Sequence, residues 1–358
     1  MIIMDFSKAF DKVPHRRLHY TLDWYGVRGE ALDWIGDFLT DRTQRVVLPG
    51  GASSACPVLS GVPQGTVLGP ILFLLYINDL PDDTLHSTVR LFADDCILHR
   101  PVRTVHDCDL LQQDLDSIAK WEAQWLMEFN VGKCLAMHVG RGRNKMEHKY
   151  MLHGQQLVEL DSSKYLGITL TTDLRWNTHI SNITKKANSA LGLIRRNLRI
   201  ASQTVKTQAY QALVRPHLEY ASSVWDPYTQ ANIRKLEMVQ RRAARYVCNR
   251  WHNTSSVSEM LNNLGWESLA TRRRHARLCM MYKIMQGTAV VPFQQFLVEG
   301  YRGTRGSHTR KLQTISTSND SYKYSFLPRT IVYWNALPPG VVVAPSLAAF
   351  QAGLTSTR

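Results

Sequence analysis

The stretch Leu91-Phe92-Ala93-Asp94-Asp95-Cys96-Ile97-Leu98 sets two adjacent acids between β-prone apolar runs. Residues 88–92 and 96–99 read as two short strands, which leaves Ala93-Asp94-Asp95 as the turn between them. An Asp pair in a turn is ordinarily solvated turn chemistry. Here buried flanks hold two like charges together, and a bound cation would offset the cost of that arrangement. Two more acids stand near the start of the chain, Asp5 at the end of the apolar run Met1-Ile2-Ile3-Met4 and Asp11 just beyond it. Carboxylates at strand ends and in a β-turn project from one rim of a sheet, where they suit hard cations that take oxygen ligands.

Working outward from the hairpin, residues 1–5 read as a strand, followed by helices over 15–25 and 30–40. Residues 44–48 read as a strand closed by Pro49-Gly50-Gly51. Gly69-Pro70 opens a helix that runs to about Leu80, with the proline in the first turn where its missing N–H costs little. Leu111, Leu115, Ile118, Trp121 and Trp125 fall at helical spacing, and that helix is expected to lie along the sheet, on the face away from the acids. Gly140-Arg141-Gly142-Arg143-Asn144-Lys145 reads as a loop and residues 165–170 as a strand. Beyond Asn177 the pattern is mostly helical, so a domain boundary falls between 160 and 177. The fold class is α+β.

With 358 residues, 44% of them hydrophobic, the chain can bury a real core, which argues against disorder. The formal net charge of +14 attracts polyanions. Its distribution says more: residues 1–100 carry 9 Lys plus Arg against 12 Asp plus Glu, whereas residues 181–280 carry 17 against 5. An acidic front and a basic back suit a cation-binding catalytic part joined to a phosphate-gripping one. The six cysteines are scattered without a CxxC pair, which points to a reducing intracellular compartment, nuclear or cytoplasmic, and to no disulfides. The longest apolar stretch, residues 67–77, is far shorter than the roughly 20 residues of a membrane-spanning helix.

Longer motifs carry a resemblance. Asp5-Phe6-Ser7-Lys8-Ala9-Phe10-Asp11 resembles motif A of the reverse transcriptases of LINE-type (non-LTR) retrotransposons, of the jockey-like or chicken-repeat-like kind. The run from Leu59 through Gly61, Gln64, Gly65 and Pro70 is similar to motif B, Phe92-Ala93-Asp94-Asp95 to motif C, Asn130 with Lys133 to motif D, and Lys164-Tyr165-Leu166-Gly167-Ile168 to motif E. Five motifs stand in family order. Arg215-Pro216-His217-Leu218-Glu219-Tyr220 and Tyr333-Trp334-Asn335-Ala336-Leu337-Pro338-Pro339 look like the C-terminal region of such elements.

The resemblance implies a polymerase palm, an antiparallel sheet with packed helices, over 1–165. A thumb-like basic helical region follows over 166–250, and a helical and irregular region over 251–358. It implies RNA-directed DNA polymerase activity on an RNA template, a DNA primer and dNTPs. Asp5, Asp94 and Asp95 would be catalytic and hold two Mg²⁺ ions, with Mn²⁺ as a substitute. Phe10 falls where the family places an aromatic gate against the ribose 2′-hydroxyl, and an ordinary core phenylalanine is the rival reading. Gly61, Gln64 and Gly65 would lie beneath the nascent base pair. Lys133 would act near the leaving pyrophosphate, as general acid or as a compact charge. The family places a fingers subdomain before motif A, so the resemblance implies an N-terminally truncated enzyme. An inactive relic that still binds nucleic acid is the alternative.

Lys185, Lys186, Arg195, Arg196, Arg241 and Arg242 interleave with apolar positions at helical spacing and are the candidate phosphate contacts. Arg272-Arg273-Arg274-His275-Ala276-Arg277 reads as a phosphate-contacting cluster or a nuclear address. Cys248 with His252, and His275 with Cys279, are four apart and would each share a helix face, a weak zinc signal.

Overall fold

A computed structural model describes residues 1–140, 146–252, 254–289, 291, 296–300 and 308–356. Most of the loop read at 140–145 lies outside them. The chain divides into two compact units, one of residues 1–167 with 171–173, the other of 168–170 with 174–358.

The first unit is built on a five-stranded sheet. Its strands are β1 (Ile2–Asp5), β2 (Thr88–Phe92), β3 (Asp95–His99), β4 (Leu135–Ala136) and β5 (Val158–Glu159), in the order β5-β4-β1-β3-β2. Every neighbouring pair is antiparallel except β5 with β4. The apolar start of the chain is thus a central strand, as its composition predicts. Strand residues alternate between faces. Ile2 and Met4 of β1, with Cys96 and Leu98 of β3, enter the main core cluster, whereas Ile3, Asp5, Asp95 and Ile97 take the opposite parity.

Four longer helices cover this unit: α1 (His15–Trp24), α2 (Glu30–Leu39), α3 (Leu68–Ile77) and α4 (Val105–Trp125). The start of α4 precedes its first apolar marker by six residues because Thr104 and Asp107 close a reciprocal capping box there. Leu111, Leu115, Ile118 and Trp121 of α4 are buried in the same cluster as Ile2 and Met4, so α4 lies on the sheet face away from Asp5 and Asp95. Each such fully buried aliphatic side chain contributes about 2 kcal/mol.

Three expectations are corrected. Asp95 belongs to β3 and not to the turn: Phe92 pairs with Asp95, leaving Ala93-Asp94 as a two-residue loop, the length antiparallel hairpins favour. Residues 43–48 form two short pieces, Thr43–Gln44 pairing with Cys56–Pro57 and Val47–Leu48 pairing with Gly51–Ala52 across Pro49-Gly50. The strand read at 165–170 is broken at Leu166 and Gly167, both at positive φ, into Ser162–Tyr165 and Ile168–Thr171.

In the second unit, α5 (Asn177–Asn197) and α6 (Gln230–Cys248) pack through Ile180, Ala187, Leu191, Leu236, Val239 and Ala243. Between them the chain forms one π-helical turn at Tyr210–Val214. The helix α7 (Leu269–Met285) begins in this cluster with Leu269 and ends in another, where Leu278 and Met281 meet α8 (Phe326–Asn335) and α9 (Leu347–Ser356). Among the described residues, no helix is long and apolar enough to cross a membrane.

Candidate active site

Asp5 ends β1 and Asp95 begins β3, and the two are direct antiparallel partners. Residues so paired have Cα atoms about 4.5–5.5 Å apart and point to the same face. Asp94 stands in the adjoining two-residue loop, after Ala93 at φ 50°, in the left-handed region. Alanine in that region costs about 1–2 kcal/mol, strain that the hairpin holds beside the acids. The register therefore brings the three candidate carboxylates to one rim. Burial pushes the Asp95 carboxyl above the usual carboxylate range, and the charges of Asp94 and Asp5 push it further.

Oδ2 of Asp5 is sealed from solvent. Its counter-charge is the Lys133 ammonium at 2.8 Å, and Asp5 in turn raises the Lys133 pKa above the usual lysine value. As the side chains stand, no three His, Cys, Asp or Glu among the described residues converge closely enough to hold a metal ion. The oxygen-only donors, among them the buried Oδ2 of Asp5, nevertheless fit a hard divalent cation, which would compete with the Lys133 ammonium for Asp5. Reverse transcriptases as a family use divalent metal.

Backbone contacts hold the motif carrying Lys133 against β1. Asn130 N–H donates to Asp5 O at 2.8 Å, Ser7 N–H donates to Glu128 O at 2.6 Å, and Phe6 bridges to Phe129 with stacked rings 4.1 Å apart. Behind them Glu122 of α4 is buried and accepts from Phe129 N–H at 2.6 Å, with His153 Nε2 2.7 Å from its other oxygen. Nothing in the sequence pattern marked Glu122, because its position on α4 is that of a core residue. Tyr165 was seen only as part of a motif. Its phenol is pushed up to about 12 by burial and then by the Asp95 charge, which puts it near the acids.

The candidates Gly61, Gln64 and Gly65 lie in the loop before α3, and this loop is docked on residues 10–15. Gly61 N–H donates to Val13 O and Val62 N–H to Phe10 O, both at 2.7 Å, and His15 Nε2 is 2.8 Å from Gly61 O. Gln64 Nε2 donates to Asp11 Oδ1 at 3.0 Å. Gly61 has φ 91°, and a Cβ there would lie 2.7 Å from Asp11 Cα, so close backbone approach requires glycine. Phe10 is partly buried and stacks on Phe73 of α3 with centroids 4.4 Å apart. It packs as a core ring does while sitting five residues beyond Asp5.

In the second unit, Lys185, Lys186, Arg195 and Arg196 of α5 and Arg241 and Arg242 of α6 are all exposed, on two helices packed together. Arg242 Nη1 donates to Asn188 Oδ1 across that packing at 3.0 Å, and Arg195 lies 4.7 Å from the centre of the Trp251 ring. The arginine run at 272–277, read as a phosphate-contacting cluster or a nuclear address, is partly turned inward. Arg273 and Arg277 are buried against Asp226, and Arg272 pairs with Glu219. Helical periodicity turns two of the four inward. Cys248 ends α6, with Asn249 in the left-handed cap, so Cys248 and His252 share no helix face. His275 and Cys279 do lie on α7, but no metal-holding group of side chains forms there among the described residues. All six cysteines are free thiols.

Comparison with known proteins agrees with these motifs. The reverse transcriptase (RNA-dependent DNA polymerase) family pattern matches residues 1–170. The RNA-directed DNA polymerase from mobile element jockey of Drosophila melanogaster is 29% identical over 257 residues, covering 68% of this chain and 28% of that protein. The Retrovirus-related Pol polyprotein from type-1 retrotransposable element R2 of Popillia japonica is 22% identical over 227 residues, covering 55% of this chain and 37% of that protein. Among solved structures, telomerase from Candida albicans aligns over 76% of this chain and 44% of its own, with 12% identity and a TM-score of 0.42. The chain spans about 28% of the length of the jockey polymerase that it matches. Residues 1–170, with their acids in cross-strand register, match the reverse transcriptase family, and the chain is similar to RNA-directed DNA polymerases of LINE-type non-LTR retrotransposons such as jockey.

Proposed function

We propose that this chain performs RNA-directed DNA synthesis, extending a DNA primer on an RNA template with dNTPs. The observation that carries the reading is the direct cross-strand pairing of Asp5 with Asp95, with Asp94 in the adjoining loop. Asp5, Asp94 and Asp95 would hold two Mg²⁺ ions, with Mn²⁺ as a substitute, and such a pair supplies activation of the primer hydroxyl and charge neutralisation at the leaving oxygen. Lys133 would meet the charge of the leaving pyrophosphate, a role that its ion pair with Asp5 supports. Phe10 would exclude the ribose 2′-hydroxyl, its ring braced by Phe73. Gly61, Gln64 and Gly65 would support the nascent base pair. The exposed bases on α5 and α6 would grip template and primer phosphates.

Primer extension by the purified chain on an RNA template, with and without Mg²⁺, tests the reading. The expected product depends on Mg²⁺ and falls at least about a hundredfold in Asp94→Asn, as for loss of a principal electrostatic group. No Mg²⁺-dependent product from the wild-type chain refutes polymerase activity. The exposed basic residues of α5 and α6 favour a second reading, nucleic-acid binding without catalysis. Filter binding separates the two: salt-sensitive affinity without extension supports binding alone, and no affinity removes both.

A further inference from the structure

The inward half of the arginine run makes a cluster for which nucleotidyl transfer has no use. Asp226 stands just after the short helix Ser222–Trp225, and only 5% of its side chain is exposed. Arg273 Nε donates to its Oδ1 at 2.7 Å, and Arg277 Nε donates to its Oδ2 at 3.0 Å. Arg329 of α8 adds Nη1 3.2 Å from Oδ2 and 3.0 Å from the Asp226 carbonyl. The three guanidinium side chains are 0%, 3% and 17% exposed. Among the described residues, Asp226 is the carboxylate that pairs with them, so three positive charges are met by one negative charge.

The hydrogen bonding is as unbalanced as the charge. Arg277 Nη1 reaches Thr330 Oγ1 at 3.4 Å, but Nη1 and Nη2 of Arg273 are buried with no acceptor among the described residues. Four N–H donors on a fully buried cation are thereby left open, in an interior where polar groups are paired almost without exception. Aromatic faces do not fill the gap: Tyr333 takes Arg277 at 5.3 Å and Arg274 at 5.8 Å. Burial first, and the Arg329 charge second, pull the Arg277 pKa down to about 10. Water would satisfy the donors and leave the charge, whereas an anion satisfies both.

We propose that Arg273, Arg277 and Arg329 form an internal site for a small inorganic anion of the phosphate or chloride class, held against the two open amino groups of Arg273. The anion fastens α7 and α8 to the loop carrying Asp226, so it acts on the stability of the C-terminal helices and not on chemistry at Asp5 and Asp95.

Thermal unfolding of the full chain tests the site at constant ionic strength, with sodium gluconate replaced stepwise by sodium chloride in one series and by sodium phosphate in another. The expected result is a saturating rise in Tm, roughly 5–10 °C at a hundredfold excess over Kd, and the series with the lower midpoint identifies the anion. Arg273→Gln abolishes the saturating component and leaves the linear salt effect on apolar burial that every protein shows. A linear, non-saturating dependence in the wild type overturns the proposal, as water in the site would produce it. A saturating rise of equal size in Arg273→Gln overturns it too. Should that variant not fold, the wild-type curve decides alone, and Arg329→Gln, in the more exposed arm, provides the variant series. None of these readouts depends on polymerase activity.

Discussion

Replacing Gly61 by Ala probes the joint between the motif that carries Asp5 and the loop that carries Gln64. At φ 91° an alanine pays about 1–2 kcal/mol for the left-handed backbone. Its Cβ would also stand 2.7 Å from Asp11 Cα, 2.7 Å from Asp11 O and 2.8 Å from Phe10 O. These are backbone atoms, so no side-chain rotation relieves the contact, and overpacking of this kind costs about 1–3 kcal/mol more. The two terms predict a loss of about 2–5 kcal/mol in the first unit. Gly65 is the internal control: its φ is 78°, but a Cβ there meets nothing within 4 Å. Gly65→Ala therefore carries the backbone term alone. Hydrogen exchange read on peptides covering 95–99 reports the first unit separately from the second. Gly61→Ala is expected to lose at least about 1 kcal/mol more protection than Gly65→Ala, the lower end of the steric term. Equal losses in the two variants would show that the loop is not clamped on residues 10–13, and the geometry argued for Gln64 and Asp11 would fall with it.

Three further expectations follow from buried polar groups. Glu122→Leu leaves the Phe129 N–H buried without an acceptor and is expected to cost about 1–3 kcal/mol, whereas Glu122→Gln keeps an acceptor and costs less; denaturant titration ranks them. Asp226→Asn removes the negative charge that two buried guanidiniums and the half-buried one of Arg329 share, and is expected to cost about 3–5 kcal/mol, read from the unfolding of the second unit. His179 is buried, its Nδ1 accepts from Thr169 N–H at 3.1 Å, and burial first, then Lys186, lowers its pKa to about 4. The unfolded chain then binds a proton below about pH 6.5 that the folded chain refuses until about pH 4, so this stability is present above pH 6.5 and is lost as the pH falls to 4. The loss amounts to about 3 kcal/mol, and His179→Gln is expected to flatten the pH profile between those limits; an unchanged slope refutes the assignment.

The α+β class, the strand at the start of the chain, the acidic hairpin, α4 and the helical second half were legible because each is a local pattern. Strand alternation, helical spacing and turn residues act within a few positions of one another. Motif order pointed to the family on the same local ground. What the sequence left open is which faces meet. That Asp5 lies opposite Asp95, and that Asp95 is a strand residue, depends on the register between strands some 90 residues apart, and a one-residue slip would have turned either carboxylate to the other face. Likewise Arg272, Arg273, Arg274 and Arg277 are equally basic in a list of residues. Only the packing of α7 against Asp226 and α8 separates those that meet solvent from those that meet a buried carboxylate, since burial is a property of neighbours distant in the chain.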